Sequence, residues 1–269
     1  MYGAILGDII GSPYEFMRGK EKIAFPLLTW RSRFTDDTVM TVAVAEALSR
    51  AADEGLLEDE TAVKNLLVDE MKKWGRQFPD AGYGGRFFGW LMSDNREPYN
   101  SFGNGSAMRV SPAGWISDDL DEVRKIARWT AEVTHNHIEG IKGAESTAAA
   151  ICLARNGHDK AFIKDYITRE FGYDLEMTCD EIRPGYSFNE TCQGSVPESI
   201  ICFLEGGSYE ETVRLAVSLG GDTDTMACIA GSIAEAYWGL PEDLKDECLK
   251  RIPDSMKTTA EGFFRRFAR

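Results

Sequence analysis

Several ordinary signals are missing from this chain. Basic residues are outnumbered, 30 Lys and Arg against 44 Asp and Glu, for a net charge of −14. Such a surface repels nucleic-acid phosphates and argues against a general polyanion binder, while leaving room for a local pocket that takes one phosphorylated ligand. No stretch reaches the roughly 18 uninterrupted apolar residues that span a bilayer, so no membrane role is expected. Nothing basic precedes the apolar run at Met1–Leu6, and Asp8 interrupts that run, which argues against a secretory signal. The six cysteines form no C-x-x-C pair. Several sit in apolar helical patterns, so reduced, buried thiols in a cytoplasmic protein are expected rather than a disulfide framework or a zinc site. Strand-like alternation is almost absent, and there is no linker, low-complexity segment or short repeat.

What remains is helical periodicity. Residues 3–12 mix Gly and Ala with Ile and Leu, the pattern of a buried helix that packs closely, ended by Ser12-Pro13. A helix is predicted from Thr35 to about Ala52, with Thr35 as N-cap and Asp36 and Asp37 at the positive end of the helix dipole. Val63, Leu66, Leu67, Met71 and Trp74 mark a stripe over 60–77. Further helices are read over 121–135, 138–155, 159–171, from Pro197 as first helical residue, from Ser208 to Leu219, and over 242–252 and 255–268. Ser208 and Glu211 have the spacing of a capping box. The glycine-rich stretches 79–85 and 101–106 and the segment 173–195 are read as loops. The expectation is an all-α fold, one compact multi-helix domain over residues 1–269 with ten or more helices and functional loops at helix N-termini.

Two oxygen-rich clusters carry the candidate chemistry. Leu219-Gly220-Gly221-Asp222-Thr223-Asp224-Thr225 turns out of one helix and opens another. Thr35-Asp36-Asp37-Thr38 opens a helix near the other end of the chain. Either cluster alone is compatible with ordinary capping. Together, four carboxylates at two helix starts repel one another unless cations intervene, and an all-oxygen donor set suits Mg²⁺, Mn²⁺ or Ca²⁺ rather than zinc. Glu15 is a third acidic candidate, at the end of the first helix. Within the loop Ser101-Phe102-Gly103-Asn104-Gly105-Ser106, the stretch Gly103-Asn104-Gly105-Ser106 offers backbone N–H groups at a helix start, a potential anion nest. Tyr83 sits in a similar loop, Gly82-Tyr83-Gly84-Gly85-Arg86. His135 and His137 are too closely spaced for a helical metal pair, and packing or substrate hydrogen bonding suits His135 better.

Four blocks resemble the ADP-ribosylglycohydrolase family, the large group that includes the dinitrogenase reductase-activating glycohydrolase. They are Gly3-Ala4-Ile5-Leu6-Gly7-Asp8 with Gly11-Ser12-Pro13-Tyr14-Glu15, then Phe34 to Thr38, then Ser101 to Arg109, and Ser218 to Thr225. The resemblance implies an all-helical fold with a central cleft for two Mg²⁺ ions, Mn²⁺ being a substitute. It implies Thr35, Asp36 and Asp37 on one metal and Asp222, Asp224 and Thr225 completing the pair, one aspartate bridging. Glu15, Asp36 and Asp224 would be catalytic, with Glu15 orienting or deprotonating water or protonating the leaving group. Tyr83, the Ser101, Phe102, Gly103, Asn104 and Gly105 loop, and His135 would hold the ADP-ribose portion. The implied reaction is hydrolysis of the glycosidic bond between ADP-ribose and an acceptor on a protein or small molecule, through an oxocarbenium-like centre at the ribose. The acceptor is left open among arginine, serine, acetyl and other groups, arginine being a marginal favourite, with residues 18–34 and 173–195 as the selecting loops. A cytoplasmic monomer is expected. The same residues also fit a metal-dependent nucleotide or phosphoester hydrolase, or a non-catalytic binder of ADP-ribose.

Overall fold

The computed structural model describes residues 1–16 and 24–267. Among the described residues fourteen α-helices run in chain order: α1 Tyr2–Gly11, α2 Asp36–Asp53, α3 Glu60–Gln77, α4 Gly85–Met92, α5 Gly105–Met108, α6 Leu120–Glu132, α7 Ile138–Arg155, α8 Lys160–Phe171, α9 Cys179–Ile182, α10 Val196–Glu205, α11 Tyr209–Leu219, α12 Thr223–Trp238, α13 Glu242–Lys250 and α14 Asp254–Phe267. Tight 3₁₀ turns occupy Ser111–Trp115 and Cys192–Gly194. Among the described residues the sole β-type pairing is an isolated antiparallel bridge between Gly103 and Thr191.

The axis of the fold is the antiparallel pair α1 and α12. All ten residues of α1 are buried, as expected for a helix that is apolar nearly all round. Three glycines four residues apart explain how closely it approaches its partner. A Cβ on Gly3 would lie 2.4 Å from the Gly231 carbonyl oxygen, one on Gly7 2.1 Å from that of Ala227, and one on Gly11 2.3 Å from that of Thr223. No other residue leaves room for backbone against backbone, which outweighs the entropic cost of helical glycine. The crossing sets the C-terminal end of α1 beside the N-terminal end of α12. Helix α2 packs against α1, and α7, α10 and α11 surround α12, so one connected apolar core extends from Met1 to Phe263.

The helices read from periodicity are present with small shifts. Thr35 is the N-cap of α2, its hydroxyl accepting from the Asp37 amide, and Gly172 closes α8 in the left-handed conformation. Three local readings are corrected, and one helix was not read. Residues 85–92 form α4, an eight-residue helix whose Phe87, Trp90 and Leu91 are buried; its glycine-rich start masked a helical stripe. Segment 173–195 is not wholly irregular, because Thr178 and Glu181 make a reciprocal capping box that nucleates α9. Pro197 is the second residue of α10, after Val196. Ser208 caps the Glu211 amide, but the Glu211 carboxylate accepts from Gly207 N instead of the Ser208 amide, so that box is half formed. All six cysteines are buried and free. No described helix is long and apolar enough to cross a membrane.

Candidate metal centre

The α1–α12 crossing decides where the acidic groups lie. Asp8, in the last turn of α1, is fully buried. A buried carboxylate needs donors, and the start of α2 supplies them. Asp8 Oδ2 accepts from the amides of Thr35 at 2.9 Å and Thr38 at 3.1 Å and from the Thr38 hydroxyl, while Oδ1 accepts from Thr35 Oγ1 at 2.7 Å. Asp8 therefore caps α2 from another helix and fixes the orientation of Thr35, Asp36 and Asp37. It was passed over as a site residue in the sequence. Its signal was there, a single carboxylate inside an otherwise apolar, glycine-rich helix.

The two sequence-distant clusters meet. Thr225 Oγ1, in the first turn of α12, lies 3.4 Å from Asp37 Oδ2 in the first turn of α2. Carboxylate oxygens of Asp8, Asp37 and Asp224 lie within 4.8 Å of one another, and so do those of Glu15, Asp222 and Asp224. Asp224 is common to both groups. Asp222 occupies the N-cap position of α12 but makes no capping bond; instead Asn104 Nδ2 donates to its Oδ2 at 2.7 Å. Asp36 is partly exposed as a residue while its carboxyl is buried, and it falls outside both groups, its Oδ1 3.5 Å from where a Cβ on Gly82 would be. Glu15 is half-buried at the mouth, followed by Phe16 at φ 62°, a left-handed turn that a non-glycine residue seldom adopts.

These acids repel. Burial and then neighbouring carboxylates raise Asp36 to about 8 and Glu15 to about 7. Burial, opposed by the Thr35 and Thr38 hydrogen bonds, raises Asp8 to about 6. Asp37 is pushed well above the carboxylate range by burial and then by Asp8, Asp36 and Asp222, Asp224 by burial and then by Asp37 and Asp222, and Asp222 is raised by burial. Asp37 Oδ1 is buried with no hydrogen-bond partner. An orphaned buried carboxylate oxygen among mutually repelling acids, with hydroxyls and no nitrogen or sulfur in the set, fits hard divalent cations such as Mg²⁺.

Of the remaining sequence candidates, Asn104 touches Asp222 and Tyr83 lies near Asp36. The Ser101–Ser106 loop is pinned by its bridge to segment 189–192: Asn104 N donates to Glu190 O at 2.8 Å and Cys192 N to Phe102 O at 2.9 Å. Gly103 N donates to Ser101 Oγ. Two of the amides expected in the anion nest are thus already used, and the free ones are those that open α5, at Gly105 and Ser106. The Phe102 ring is exposed and faces His137 at 5.3 Å. Tyr83 is held against Phe87 and Phe88, its buried hydroxyl unpartnered and its pKa raised by burial and after it by Asp36. His135 lies behind the loop, buried, with its Nε2 3.1 Å from where a Cβ on Gly105 would sit. Of the proposed selecting loops, residues 17–23 lie outside the described residues. In the second, Tyr186 and Phe188 pack on Gly221 beside Asp222.

Comparison with known proteins gives consistent matches over nearly the whole chain. A family profile described as ADP-ribosylglycohydrolase matches residues 1–269. ADP-ribosylhydrolase ARH3 of Mus musculus is 30% identical, over 97% of this chain and 86% of its own length. The Homo sapiens ARH3 is 28% identical over 97% and 88%, and the ADP-ribosylarginine hydrolase Tri1 of Pseudomonas putida 25% identical over 89% and 70%. A solved structure titled ADP-ribosylglycohydrolase-related protein complex superposes with a TM-score of 0.68, covering 98% of this chain and 95% of that one at 24% identity.

Proposed function

The chain belongs to the ADP-ribosylglycohydrolase family, and on that premise we propose that it is a Mg²⁺-dependent hydrolase that cleaves the glycosidic bond between ADP-ribose and an acceptor, releasing ADP-ribose. The observation that carries this reading is the pair of acid groups sharing Asp224, beside a loop anchored to Asp222 by Asn104. Asp37, Asp222 and Asp224 are the cation-holding carboxylates, with the Thr35 and Thr225 hydroxyls as neutral donors and Asp36 added from outside the two groups. When bound, a pair of divalent cations would hold the ribose hydroxyls and so orient the sugar for attack at C1.

The protein groups do the rest. The open amides at the start of α5 receive a phosphate of the ADP portion. Asn104, held between Asp222 and Glu190, keeps that loop in register with the acids. In the reaction the bond from ribose C1 to the acceptor breaks and water adds to C1. Glu15 is the group placed to move the proton, since it lies at the mouth and its oxygens are not saturated by capping bonds as those of Asp8 are.

The experiment is an assay of arginine-, serine- and acetyl-linked ADP-ribose with Mg²⁺ and with EDTA. Free ADP-ribose, formed only with the metal, is the expected product. AMP or inorganic phosphate would shift the assignment to phosphoester chemistry. Intact substrate in all three cases, despite binding of ADP-ribose, would leave a non-catalytic binder.

A further inference from the structure

Arg109 is a fully buried cation with an unusual set of partners. Its Nη2 donates to Thr130 O at 2.8 Å and to Thr134 Oγ1 at 2.7 Å. Its Nε is buried without a partner. The neighbours that favour its charge are Tyr99 and Cys192, neither of them ionised at neutral pH. A buried guanidinium without a carboxylate is costly to keep, so its placement behind the Ser101–Ser106 loop calls for a reason.

The hydrogen bonds give one. A guanidinium only donates, so Thr134 Oγ1 accepts from Arg109 and has its own proton to place. Thr134 is fully buried, and the acceptor within reach is His135 Nδ1 at 2.7 Å. Nδ1 is then an acceptor. Burial, and after it the charges of Arg109 and Arg86, keep the ring neutral. A neutral imidazole with an accepting Nδ1 carries its proton on Nε2. That nitrogen faces the two positions where the loop has no Cβ: one on Gly105 would lie 3.1 Å away and one on Gly103 3.6 Å.

We propose that Arg109 and Thr134 are positioning residues that lock His135 as a neutral Nε2–H donor, aimed through the gap at Gly103 and Gly105 toward an acceptor oxygen of the bound ligand. Arg109 sets the direction of the Thr134 hydroxyl, and Thr134 sets the tautomer. The ligand-facing half of this statement rests on the reading that the loop receives ADP-ribose; the tautomer does not.

The chain has only three histidines, so ¹⁵N-histidine labelling and long-range ¹⁵N–¹H correlation of the intact protein resolve each ring. The expected wild-type spectrum shows His135 neutral, with its proton on Nε2. A proton on Nδ1 overturns the proposal. Thr134→Val, which keeps shape and removes the hydroxyl, is expected to mix the tautomers and weaken ADP-ribose about tenfold, whereas Thr134→Ser restores both. Unchanged tautomer in Thr134→Val overturns the relay, and unchanged affinity despite a mixed tautomer overturns the ligand contact. Absence of ADP-ribose binding by wild type, with the Nε2 tautomer observed, refutes the proposed function and the contact built on it while the relay stands.

Discussion

Asp8 and Asp224 show how one residue type serves two ends. Asp8 is saturated by four donors from Thr35 and Thr38 and acts as a scaffold, whereas Asp224 is shared by both acid groups. Asp224→Asn is therefore expected to lower ADP-ribose release more than about a hundredfold while raising the melting temperature of the metal-free protein, because one of the repelling charges is gone. A variant that is both active and less stable in EDTA would contradict this. Asp8→Asn presents an amide to donors and should lower metal affinity by about 10- to 100-fold, read by titration calorimetry. The pH dependence follows from the raised acids. Groups whose folded pKa exceeds the unfolded value bind extra protons in the folded state, so their contribution to stability is present at low pH and is lost as pH rises. With Asp8 at about 6, Glu15 at about 7 and Asp36 at about 8, metal-free protein should lose stability between pH about 4 and 8. Thermal melts in EDTA across that range should fall with pH, and Mg²⁺ should flatten the trend.

At the level of elements, the glycines of α1 matter more than its hydrophobicity. A valine at position 7 would drive a side chain into the Ala227 carbonyl, where even a Cβ would sit at 2.1 Å. The helices must separate, so Gly7→Val is expected to cost at least about 3 kcal/mol, seen as a lower denaturation midpoint, and to weaken Mg²⁺ binding because Asp8 and Asp224 part. Weakened stability with unchanged metal affinity would show that the crossing does not set the site. The helix starts were legible in the sequence where chemistry punctuates them, as at Thr35 and Gly220-Gly221. Helix α4 and helix α9 were not. The first begins with glycines that also make turns, and the second is a single turn that only its capping box and packing on α10 hold together.

Across the whole molecule, the acid groups join segments far apart in sequence: Glu15 after α1, the start of α2 and the start of α12. A cation bound there ties these segments in the folded state only. At a hundred times its dissociation constant it adds about 2.7 kcal/mol, so Mg²⁺ should raise the melting temperature by about 5–10 °C over EDTA. Equal melting temperatures would count against a shared metal centre.

The sequence by itself determined the helical fold, the two oxygen-rich helix starts and the family, because caps, glycines and apolar spacing are local and the motifs are contiguous. Tertiary structure decided the division of labour among the acids: Asp8 as scaffold, Asp224 common to both groups, Asp36 outside both, and Asn104 tied to Asp222. It also set the buried Arg109 against the Thr134 hydroxyl that contacts His135. Those outcomes depend on the hydrogen bonds and distances set when α1 and α12 meet backbone to backbone, and the spacing of residues along the chain carries no record of which lone pair is already taken.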